Sequence, residues 1–108
     1  MHIVTLVAGA DGHVRILATR APDLARRQIA AETGDAYLVY CGVAPPQIGS
    51  RAFVVMLRQA LDHAHLGNST FALSPNSAIR TVYLLLAVTR LQRDLQMLVR
   101  LLKRLFRR

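Results

Sequence analysis

The sequence predicts an α/β (α+β) domain: a small mixed three-stranded sheet flanked by helices, extended by a long amphipathic C-terminal helix. Three observations carry this reading. Two β-branched apolar runs are joined by a Gly/Asp turn. Helical segments with recognisable starts and stops follow them in the order β-β-α-β-α-(β)-α. After Pro75 no Gly or Pro interrupts the chain to Arg108.

Element by element, "HIVTLVAG" from His2 is β-rich and ends in the turn signal "AGADGH", and "HVRILAT" completes the hairpin. Pro22 with Asp23 opens a helix that runs through "LARRQIAAE" and stops at "TGD", with Gly34 as its C-terminal cap. "AYLVYCGV" is a third strand and "APPQIG" a loop. Ser50 is placed to cap a helix over "RAFVVMLRQALDHAHL", with Phe53, Leu57, Leu61 and Ala64 along one face and Val54 and Ala60 beside it. Gly67 and Asn68 end it, and "STFAL" is a short extended piece. Ser74 caps the last helix, with Pro75 at its first position.

The 108 residues make one domain at most, divided here into a body over 1–74 and a basic helix over 75–108. Only 19% of residues are charged, below the roughly 25% of ordinary soluble domains. The net charge of +8 is unevenly placed. From Arg80 onward seven Arg and Lys103 face the single acid Asp94, whereas the preceding 79 residues carry six Arg against five acids. A concentrated basic face calls for an anionic partner. Cys41 is alone, so no intrachain disulfide forms and a reducing cytoplasm is expected. No signal peptide is evident, and the longest strongly apolar run, "VYLLLAV", is too short to span a bilayer. A soluble chain, or at most one held at a membrane surface, is expected.

In the last helix Leu84, Val88, Leu91, Leu95, Leu98, Leu102 and Leu105 follow a 4-3 spacing, a heptad seam over three repeats. Leu85, Val99, Phe106, Ala87 and Leu101 widen it. Arg90, Arg93, Arg100, Lys103, Arg104 and Arg107 fall on the opposite side. At about 1.5 Å per residue the helix overhangs its body by several turns, leaving the leucines from about Leu95 on to find a partner. Three arrangements fit this pattern: packing on its own body, self-association, or lying on an anionic membrane surface.

The stretch "VTLVAGADGHVRILAT", with "TFALSP" at residues 70–75, resembles the GIY-YIG nuclease superfamily, in particular its phage-type branch. That branch pairs a V-Y-V strand with a V-K-I-G-x-T strand at the same spacing. It then has an arginine early in the first helix, an E-x-x-x-H pattern on the second, and "WFxLSP". Arg26 or Arg27 takes the helix-arginine position. Counting back from "TFALSP" without gaps puts Val54 at the glutamate and Arg58 at the histidine. The resemblance implies a tyrosine that helps activate water, an arginine on the phosphate and a glutamate on a divalent metal, which needs carboxylate oxygen. This chain departs at those places: Thr5 stands for the tyrosine, Arg15 and Leu17 fall in the second motif, and Val54 stands for the glutamate. A fold without the reaction, and without metal or other cofactor, is the expectation. Nucleic-acid contact is then assigned to Arg26, Arg27, Arg58, Arg90, Arg93, Arg100, Arg104 and Arg107. The alternative for Arg26 and Arg27 is a surface position with pairing to Asp23 or Glu32.

Two other readings stay open: a structural oligomer whose arginines only keep it soluble, and an active endonuclease with Asp62 or Glu32 holding the metal. His63 and His65, two apart on a helix, point to different faces and make a poor metal pair. Cys41 reads as a buried structural thiol. Tyr37 and Tyr40 read as facing opposite sides of their strand. P-loop, dinucleotide, CxxC and serine-nucleophile motifs are absent.

Overall fold

The computed structural model describes residues 2–67 and 70–106. β1 (Ile3–Gly9) and β2 (Val14–Thr19) form the expected hairpin, followed by α1 (Pro22–Thr33), β3 (Ala36–Gly42) and α2 (Ser50–Ala60). A short 3₁₀ turn over Asp62–Ala64 leads into β4 (His65–Gly67) and β5 (Thr70–Phe71), and α3 spans Pro75–Phe106. The chain is therefore mixed α and β with a long C-terminal helix. Its sheet is larger than expected: five strands in the order β3-β1-β2-β5-β4. Every pairing is antiparallel, where a mixed sheet was expected.

The strand β1 is central, and its side chains alternate between two covered faces. Val4, Leu6 and Ala8 enter a core with Val14, Ile16, Phe53, Val54, Leu57, Leu61, Phe71, Ala78 and Val82. Val7 lies on the other face with Ile29 and Ala36. Thus α1 covers one side of the sheet, against β1 and β3, while α2 and α3 cover the other. The first turns of α3 belong to the core of the body, so the two segments divided at residue 74 share one interior.

Local signals set most of the boundaries. Asp11 accepts the His13 N–H and Gly12 sits at φ 81°, which closes the hairpin turn. Gly34, at φ 101°, ends α1 and donates its N–H to the Ala30 carbonyl. The Ser74 hydroxyl accepts the Ser77 N–H at 3.2 Å, so Ser74 caps α3 as expected.

Four expectations need correction. Ser50 does not cap α2: it lies inside the helix after Gly49, and its hydroxyl donates to the His2 carbonyl. That helix ends at Ala60, where a helix to Leu66 was expected. Past the buried Leu61, residues 62–66 have no apolar face to bury, and 65–67 join the sheet instead. Cys41 is exposed because β3 is an edge strand. Tyr37 pairs with Ala8 and Tyr40 with Leu6, both on one face of β1, because a bulge at Val39 shifts the register. Tyr37 is exposed, while Tyr40 packs edge-on against Tyr83, with ring centroids 6.2 Å apart.

Candidate nucleic-acid interface

The residues aligned with nuclease chemistry do not form a site. Thr5 is fully buried, its hydroxyl donated to the Ile3 carbonyl at 3.1 Å. Val54 is part of the apolar core, where a metal-binding carboxylate would be an unpaired buried charge. Arg58 donates through Nε and a terminal nitrogen to the Ile16 carbonyl, at 3.2 and 2.8 Å, which ties α2 to β2. Arg15 and Leu17 line a shallow groove of about 260 Å³ between β2 and α1, with Gln28, Glu32 and Thr70. There Arg15 is paired with Asp11 at 3.0 Å. The Arg15 guanidinium, then the His13 N–H, holds the Asp11 carboxyl below its usual range.

The arginines of α1 point elsewhere. Arg26 and Arg27 both pair with Asp23, at 3.3 and 2.9 Å, and Arg26 also donates to the Ala36 carbonyl at 3.4 Å. Arg26 lies toward β3, away from the groove that holds Arg15, and Arg27 is exposed to solvent. Glu32 sits in that groove, whereas Asp62 lies beside Arg58 and His65. Among the described residues no three His, Cys, Asp or Glu side chains gather where they could hold a metal ion.

The last helix behaves differently. Its buried residues are Ala78, Val82 and Thr89, with Leu85 and Leu86 partly covered. These recur at spacings of three and four and form the face that packs on α2 and β3. The leucine seam is a second stripe, roughly 145° around the helix at 100° per residue. It is exposed along its length: Leu84 is 64% exposed and Leu105 70%, and Val88, the least exposed member, is 41% exposed. The exposed run thus begins at Leu84, where a start near Leu95 was expected. The reason is that the body packs on the opposite side of the helix.

Following the body-facing stripe toward the C-terminus gives Arg93, Gln96, Arg100 and Lys103 in place of apolar residues. With Arg90 and Arg104 they make one cationic face about 21 Å long. Among the described residues every ion pair lies between positions 11 and 27, so none of these cations is paired. Arg107 falls outside the described residues. Where the helix leaves the body, Thr89, Gln92, Arg93 and Gln96 face Pro46, Gln47 and Ile48 across an open cleft of about 690 Å³. This cleft was not foreseen, because it depends on where the 43–49 loop comes to rest.

A second basic corner gathers His2 and Arg51, whose nitrogens lie 3.3 Å apart. Partial burial, then the charges of Arg51 and Arg20, keeps the His2 imidazole below its ordinary pKa. Among the described residues no helix is long and apolar enough to cross a membrane. No family model matches the chain, and neither the curated proteins nor the solved structures contain a match.

Proposed function

We propose that the protein is a non-catalytic, GIY-YIG-like domain that binds nucleic acid through the phosphate backbone and self-associates through the same C-terminal helix. The observation that carries this reading is the unpaired cationic face of α3, formed by Arg90, Arg93, Arg100, Lys103 and Arg104 beyond the body. Fixed cations on a helix meet phosphates without reading base edges, so binding is sequence-independent and driven by counterion release. Arg107 continues the series in sequence. Arg26, Arg27 and Arg58 already hold internal partners and contribute less. The β-β-α-β order of the body and the motif spacing support the GIY-YIG-like reading, and the residues at Thr5 and Val54 argue against nuclease chemistry. A cytoplasmic location accords with the single, exposed Cys41.

The test is binding of a labelled 20-base-pair duplex of arbitrary sequence at 50 and 200 mM salt. Five phosphate contacts predict a loss of roughly 500-fold over that interval. Absence of binding at low salt, or affinity indifferent to salt, overturns the nucleic-acid half of the proposal. A purely structural oligomer would give no binding at either salt concentration, and the exposed leucine stripe is the observation in its favour.

A further inference from the structure

We infer that the leucine stripe of α3 is the contact surface for a second copy of this chain, joined as a parallel pair with the two bodies on the outside. The inference rests on the self-association half of the proposed function and specifies its geometry.

The surface is large enough. Seven seam residues together with Val99, Leu101 and Phe106 lie at 41–85% exposure. They present on the order of 1,000 Å² per copy, against the ~800 Å² per partner of a stable interface. Apolar patches beyond a few hundred Å² mark interaction sites.

Charge placement selects the occupant. From Leu84 to Phe106 no cation occupies a seam position or a flanking position, and Asp94 is the only charge there. Two copies therefore meet without cationic repulsion. All five described cations of this segment lie on the far side of the helix. A helix lying in an anionic bilayer would bury the same leucines, but such a chain keeps one chain mass in solution, which the measurement below separates from the pair. An acidic protein partner would find no cation beside the leucines.

Register selects the orientation. In a parallel pair all seven seam residues meet their own counterparts. The flanking neighbours are then Ala87 with Gln92, Asp94 with Val99, and Leu101 with Phe106, each across the two-fold axis. An antiparallel pair that sets Leu84 against Leu102 brings two copies of Asp94 together and leaves Leu105 facing Thr81. The other antiparallel register, Val88 against Leu105, pairs only six of the seven seam residues with one another. The bodies sit roughly 145° from the seam, so parallel pairing places both at one end, outside the helices. The cationic faces then point outward on opposite sides.

Two measurements on the full chain test this. Light scattering should give twice the 12.0 kDa chain mass, falling to one chain mass in Leu98→Lys with an unchanged circular-dichroism spectrum. One chain mass for the unaltered protein overturns both the pairing and the assembly reading beneath it. Orientation is read separately, in a Cys41→Ser background. Leu98→Cys should form a disulfide-linked dimer under mild oxidation, because a seam residue meets itself only in the parallel pair. A two-chain mass, with Leu98→Cys unlinked to itself and Val88→Cys linking to Leu98→Cys or to Leu105→Cys when the two are mixed, overturns the parallel geometry alone.

Discussion

The two halves of α3 share one leucine stripe but differ on the face opposite it. Before Arg90 that face is Ala78, Val82, Leu85 and Thr89, and it is closed against the body. From Arg93 on it is Arg93, Gln96, Arg100 and Lys103, and it is open. The helix is continuous across the change, so backbone geometry does not account for the difference. What changes is whether the side chains can give up water: small apolar groups pack at low cost, whereas an unpaired guanidinium does not. The length over which the helix touches its body is thus set by a switch on its less conspicuous face.

The largest expected effect comes from placing a charge in each half. Val82→Asp puts an unpaired carboxylate at a position with no solvent exposure. It should cost on the order of 4 kcal/mol, enough to unfold a domain of this size. Thermal unfolding followed by circular dichroism measures it. Leu98→Asp carries the same charge on the same helix, yet should leave the far-ultraviolet spectrum intact and change only the mass in solution. Equal unfolding by the two variants would show that the seam, like the inner face, is needed for the fold.

An intermediate effect separates the cations by region. Changing Arg93, Arg100 and Arg104 together to Gln should lower the slope of log affinity against log salt by about 3. Changing Arg26 and Arg27 to Gln should alter it by much less, because Asp23 already neutralises part of their charge. A larger change from the α1 pair would move the interface from the helix to the body.

The contrast between the two faces of α3 also explains what the sequence made legible. The hairpin, α1 and the start of α3 rest on local signals, the Asp11–Gly12 turn, Gly34 and Ser74, and local signals can be read directly. The leucine seam was equally plain, since seven large residues on a strict 4-3 spacing leave little ambiguity. Its exposure was not plain, because the face that packs is built from Ala78, Val82 and Thr89. Small side chains let a helix approach a sheet closely, and they carry a weak hydrophobic signal. The end of α2 and strand β4 were missed for a different reason, and β5 showed only as the short extended piece in "STFAL". A strand of two or three residues is held by the partner it pairs with, not by its own sequence. Arg58 shows the same limit in a single side chain: its role on the Ile16 carbonyl depends on a residue 42 positions away.

The smallest effect should come at the boundary itself. Thr89 is the last buried residue of the inner face, and its hydroxyl donates to the Leu85 carbonyl at 2.8 Å. That carbonyl is also the acceptor for the Thr89 backbone N–H in an α-helix, so removing the hydroxyl orphans no acceptor. Thr89→Val exchanges one modest hydrogen bond, about 1 kcal/mol net, for one more buried methyl, worth roughly 0.8 kcal/mol. The two nearly cancel, and the variant should lie within about 1 kcal/mol of the parent in urea unfolding. Back-bonded hydroxyls also bend helices slightly. A loss well beyond that range would therefore mean that the Thr89 hydroxyl sets the angle at which α3 leaves the body. The cleft between Gln92, Gln96 and the 43–49 loop would then be the part of the structure that reports the change.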